Sequence, residues 1–96
     1  MKKFAKAPED EVRYVEQLQF EYTAEMNVLA FLTKQEGVKE EYLERYFSRA
    51  KEKNIMLEIA KEQIVKKYKP KEIEDTSDYD FVIDFDSCFI TYESKN

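Results

Sequence analysis

The chain has no histidine, one glycine, two prolines and one cysteine in 96 residues. Each scarcity excludes something. Without histidine, the commonest general base and the commonest transition-metal ligand are gone. A single glycine rules out glycine-rich phosphate loops. Cys88 alone can form no disulfide within the chain and no structural zinc site, and without a histidine it makes a poor thiol nucleophile. A lone thiol suits a reducing compartment. The basic stretch from Met1 to Pro8 lacks the apolar core of a secretory signal. No apolar run approaches the roughly 18 residues that a membrane span needs. The expected location is therefore cytoplasmic, with no membrane partner and no cofactor.

Scarce glycine and proline also mean little turn chemistry, so a few long elements are expected. Charged residues at 39% and hydrophobic ones at 43% suit a folded amphipathic protein. The length allows one domain with a modest core, which makes self-association an expectation. Net charge is -5, unevenly spread. Residues 1–71 hold 15 basic and 13 acidic residues, a net of +2, whereas residues 72–96 hold one lysine and eight acids, a net of -7. The chain divides into a near-neutral body, 1–71, and an acidic-aromatic tail, 72–96, within a single domain. Such a tail repels nucleic-acid phosphate, and no nucleic-acid partner is expected.

Pro8 suits a first helical turn, and Glu9, Asp10 and Glu11 follow where negative charge complements the helix dipole. Val12, Val15, Leu18, Tyr22, Met26, Leu29 and Leu32 then recur at helical spacing. Gly37 stands where a C-cap is wanted, so the pattern predicts a helix from about Pro8 to Glu36. Phe20, Ala24 and Phe31 form a second apolar patch on roughly the opposite side, at about 100° per residue. That patch needs a cover: the tail, another copy, or a partner. A second helix is expected from Lys39 to Lys69, ended by Pro70, with Tyr42, Leu43, Tyr46, Phe47, Ala50, Leu57, Ala60, Ile64, Val65 and Tyr68 on one face. Its repeat falters at Lys53-Asn54, where an apolar residue is due and where the pattern leaves room for a kink or break. Ile55, Met56 and Ile59 give it a second apolar side. The short connection at Gly37 makes the helices antiparallel neighbours, and two such hairpins would complete a four-helix bundle.

The tail alternates. Tyr79, Phe81, Ile83 and Phe85 share one face of an extended strand, with Asp78, Asp80, Asp84 and Asp86 on the other. No Gly or Asn-Gly turn divides it, so the expectation is one strand, with a turn at Asp86-Ser87 as the exception. A strand needs a neighbour. Three arrangements stay open: the aromatic face lies on the helices, the strand pairs with its counterpart in a second copy, or it adds to a partner's sheet.

Glu21 with Glu25, Glu40 with Glu44, and Glu58 with Glu62 are carboxylate pairs at helical spacing, which in the absence of histidine read as a solvated face rather than a metal site. Lys61, Lys66, Lys67, Lys69 and Lys71 surround Tyr68; they read as ordinary cation placement at a helix C-terminus. The string Phe81-Val-Ile-Asp84-Phe-Asp86-Ser-Cys-Phe-Ile-Thr91 resembles the first motif of haloacid dehalogenase-like phosphatases, an apolar strand followed by Asp-x-Asp. The resemblance implies a nucleophile at Asp84 and an acid/base at Asp86. It covers 11 of the 96 residues, and the family's lysine and downstream acidic motif have no counterpart after it, so the family is not assigned and catalysis by this chain is not expected.

The sequence thus predicts a mainly α protein: an antiparallel helical hairpin, a four-helix bundle if dimeric, with a C-terminal extended strand. The expected role is non-enzymatic, protein–protein interaction or assembly, with a protein partner or a second copy. Phe20, Ala24, Phe31, Tyr79, Phe81, Ile83 and Phe85 are the candidate contact residues. Two alternatives differ in kind. One is a substrate polypeptide whose residues 78–93 are modified by a separate enzyme. The other is an acidic inhibitor that mimics nucleic acid.

Overall fold

The computed structural model describes residues 2–95. Their order is β1 (Lys2–Lys6), α1 (Glu9–Thr33), α2 (Glu40–Lys67), a single 3-10 turn (Thr76–Asp78), β2 (Tyr79–Ile83) and β3 (Phe89–Ser94). The protein is mainly α, and the helical hairpin is its body.

Helix α1 starts behind Pro8, whose extended backbone delivers its carbonyl to Val12 N–H, and Glu9, Asp10 and Glu11 fill the first turn. The hairpin bend uses Gly37 at a φ of 80°, a value glycine adopts without cost. Cross-helix ion pairs fix the helices as antiparallel: Glu11–Lys67, Glu21–Lys53 and Glu25–Arg49, so that a step toward the bend on one helix matches a step on the other. Helix α2 runs unbroken through Lys53-Asn54, without the kink or break that the faltering repeat leaves room for. Where the apolar repeat falters, the Lys53 ammonium reaches across to Glu21 at 2.7 Å, and an ion pair takes the place of an apolar contact.

The sheet departs furthest from expectation. The tail is a hairpin instead of one strand, and its second partner is the basic stretch near the start of the chain. The order is β1-β3-β2, antiparallel throughout, with Lys3 opposite Tyr92 and Phe81 opposite Tyr92 on the other side. The strand's neighbours therefore come from the same chain. The sheet also joins the 1–71 and 72–96 segments, since β1 belongs to the first and β3 to the second.

The β2–β3 turn is built without glycine. Asp84 N–H donates to Phe89 O, Cys88 N–H donates to Asp84 O, and the Asp84 carboxylate accepts Asp86 N–H at 2.9 Å. Cys88 closes the turn at a φ of 63°, in the left-handed region. Its side chain is buried beside Arg13, whose guanidinium also donates to Phe85 O. A β-branched residue tolerates that backbone poorly. Cys88→Val is expected to destabilise the fold by about 2 kcal/mol or more. Cys88→Gly, which relieves the backbone but loses the small buried thiol, should stay within about 1 kcal/mol. Thermal melts of the two variants check this contrast.

The core lies where the sheet meets the open end of the hairpin. Val12, Val15 and Leu18 of α1, Leu57, Ala60, Ile64 and Val65 of α2, Ile73 of the linker, and Ile90 and Tyr92 of β3 form one buried cluster. Tyr92 also answers a helix-end problem. Carbonyls in the last turn of a helix lack intrahelical donors, and the Tyr92 hydroxyl donates to Val65 O at 2.7 Å.

Candidate interaction surface

The sheet covers only the open end of the hairpin. On α2 it lies over Lys61, Glu62, Val65 and Lys66, and on α1 its β2 edge reaches Gln19. Residues seven apart share one side of a helix. Lys61, Asn54 and Phe47 therefore form one line down α2, and Gln19, Met26 and Thr33 form its counterpart on α1. These two lines carry the sheet-bearing face of the hairpin past the sheet toward the bend.

Beyond the sheet this face is open. Two adjoining hollows share Phe47 as a wall. The outer one, about 680 Å³, is lined by Leu29, Thr33, Glu40, Leu43, Glu44, Phe47 and Ser48. The inner one, about 210 Å³, is lined by Tyr22, Met26, Phe47, Ala50, Lys51 and Asn54. Together they make a single groove floored by apolar side chains, with Phe47 standing in its middle at 60% exposure.

The opposite face is closed differently. Glu21 and Glu25 fall about 100° or more round α1 from Met26, and Lys53 and Arg49 more than about 100° round α2 from Phe47. There the Glu21–Lys53 and Glu25–Arg49 pairs lace the helices together at 2.7 and 2.9 Å. Lys53 holds the Glu21 carboxyl below its ordinary value, and Glu21 raises Lys53 in return. The carboxylate pair Glu21 and Glu25 thus anchors cations of α2. Near the open end, Glu11 accepts from the Tyr68 hydroxyl and from Lys67; the Tyr68 bond is the main reason its carboxyl is lowered, and the same bond raises Tyr68. The basic cluster around Tyr68 is in part spoken for. Lys67 pairs with Glu11, Lys69 donates to Ile73 O, and Lys61 pairs with Glu58.

The sequence-predicted contact residues separate into two groups. Tyr79, Phe81, Ile83 and Phe85 are half-buried against the core, so the aromatic face lies on the helices. Phe20, Ala24 and Phe31 remain exposed on α1, Phe20 at 69% and Phe31 at 62%, and the sheet does not reach them. Ile55, Met56 and Ile59 on α2 are exposed as well. The structure does not bring the two groups together. It adds Phe47, Met26 and Tyr22, which the sequence places in the helix–helix stripe. The available signal was the length of that stripe, which runs on toward the bend after its buried members, Ala50 to Val65, have ended.

The Asp-x-Asp string sits in the exposed β2–β3 turn. Asp84 spends its carboxylate on Asp86 N–H and Ser87 N–H, which hold it below the ordinary aspartate value. The preceding strand is the edge of an antiparallel sheet. Among the described residues no three potential metal ligands cluster, and no helix is long and apolar enough to cross a membrane.

The protein is thus an α-hairpin whose open end is roofed by a β-α-α-β-β sheet and whose bend end carries an uncovered apolar groove. No family model matches the chain, no curated protein matches it, and no solved structure matches it.

Proposed function

We propose that the protein is a non-enzymatic protein–protein interaction or assembly module that works through the bend half of its helical hairpin, with the sheet as the foundation that holds the open end. The asymmetry of the hairpin's two faces carries this reading. One face is laced by ion pairs along its length, and the other is roofed for half its length and then left apolar with Phe47 projecting. Contiguous exposed apolar surface rimmed by polar groups marks contact sites in water-facing proteins. Aromatic residues are the usual anchors of such contacts.

The two alternatives draw less support. A modifying enzyme acting on residues 78–93 would find the central-strand part closed, since Ile90 and Tyr92 are fully buried, and only the β2–β3 turn and the outward side chains of edge strand β2 open to it. A nucleic-acid mimic would present Asp78, Asp80, Asp84 and Asp86 as one row, whereas the Asp84 carboxylate is turned into its own loop.

A photo-crosslinking side chain at position 47, used in cells at native expression, tests the proposal. The control is the same group at Tyr14, which is 57% exposed and lines a hollow on the opposite face. Protein adducts at 47 and none at 14 are expected. No adduct at either position defeats the reading, and adducts at 14 alone move the contact surface to the other face.

A further inference from the structure

We infer that the occupant of the groove is a second copy of this chain, docked antiparallel about a two-fold axis that passes beside Phe47. The inference rests on the interaction reading above and names its partner.

A two-fold contact requires a surface complementary to itself, since each patch must meet its own image. The groove has that character in shape and in charge. In shape, Phe47 is both its most exposed apolar side chain and the shared wall of its two hollows, so one knob is flanked by two holes. Turned about an axis at Phe47, the two Phe47 side chains pass side by side across the axis, each at the mouth of the hollows that flank the other, a packing open to long antiparallel helices. The same rotation sets Leu43 near Ala50. The pairing joins a large side chain to a small one that is itself buried and lies in the groove floor.

In charge, the groove is antisymmetric about Phe47. Glu40 and Glu44 rim the hollow on its N-terminal side, and Lys51 rims the hollow on its C-terminal side. None of the three is among the ion pairs that lace the helices together. A parallel arrangement would place acid beside acid. The antiparallel two-fold places Glu44 of each copy beside Lys51 of the other, twice over. Within one chain the two cannot substitute for that contact, because seven residues separate their positions by about 10 Å along the helix.

The face is short. From Tyr22 to Thr33 it runs about 16 Å at the rise of an α-helix, which places the interface at the small end of specific contacts, so the test spans a wide range of concentration.

Sedimentation equilibrium of the full chain from low micromolar to near-millimolar concentration tests the inference. A reversible monomer–dimer equilibrium is expected. Phe47→Asp, a change at an exposed side chain that leaves the circular dichroism spectrum intact, should weaken the dimer by about tenfold or more. Glu44→Lys alone should weaken it, because it sets lysine against Lys51 of the other copy. Glu44→Lys with Lys51→Glu should restore it, a rescue that only contact between copies can produce. A monomer throughout the range overturns the inference, as does a dimer indifferent to Phe47→Asp or a double swap that fails to rescue. Adducts to a different protein at position 47 would then keep the interaction reading and reassign the groove, whereas no adducts would remove both.

Discussion

Tyr92→Ala is expected to leave the protein only marginally folded at room temperature. Tyr92 is fully buried on the central strand, against the end of α2. Truncating a buried aromatic costs about 3–5 kcal/mol through lost transfer energy and the cavity left behind. A small domain has roughly 5–15 kcal/mol to lose, and one of this length sits near the bottom of that range. Tyr92→Phe separates packing from hydrogen bonding. The ring stays, but Val65 O is left buried without its donor, at a cost of about 1–2 kcal/mol. That corresponds to a fall in Tm on the order of 5–10 °C.

The same residue predicts a response to alkali. Burial pushes the Tyr92 hydroxyl from its ordinary 10.0 up to about 12. The folded value is the higher one, so the contribution is complete below pH 10.0 and fades as pH rises toward about 12, where the folded protein must bury a phenolate. Denaturant midpoints across that window should fall in the wild type and fall less steeply in Tyr92→Phe. Equal slopes would remove Tyr92 as the titrating group.

The second large effect belongs to a segment whose composition suggests only a linker. Ile73→Ala should cost about 2–4 kcal/mol, comparable to a residue of the helix interface. Ile73 is fully buried within the core cluster. Its backbone is pinned at both ends, its N–H donating to Pro70 O and its carbonyl accepting from Lys69. The anchor sets where the chain leaves α2 and turns back into β2. Neighbouring Glu72→Ala and Glu74→Ala, both at exposed positions, provide the baseline; urea midpoints for the three should separate Ile73 from the others.

Much of the helical hairpin was legible because helical periodicity survives in long elements: the pattern places α1 and α2 within three residues of their ends. The sheet was less so, for identifiable reasons. Strand β1 is Lys-Lys-Phe-Ala-Lys, and lysines at an edge strand mask its alternation. The β2–β3 turn contains no glycine because Cys88 takes the left-handed position itself. Its trace in the sequence is a change of parity. The inward side chains are odd-numbered through Phe85 and even-numbered from Cys88 on, as they must be once a turn has displaced the alternation. The candidate site was not legible in advance. Phe20, Ala24 and Phe31 are exposed but lie outside the groove, while Phe47 belongs to the same stripe as buried Ala50, and no periodicity tells which part of a stripe a sheet will reach.

The pairing of Lys2 with Glu93 has a consequence for how the molecule is made. Every contact of the helical hairpin is available once Lys67 has left the ribosome, but β1 has no hydrogen-bonding partner until Phe89–Ser94 emerges, since β3 lies between it and β2. Strand β1 must wait for β3. During that interval the nascent chain carries an unroofed helical hairpin, its Val12, Val15, Ile64 and Val65 facing water. Closing a loop of this span carries an entropic cost that the short connection of the helical hairpin does not. The helical hairpin, groove included, can therefore form before the sheet that roofs its open end.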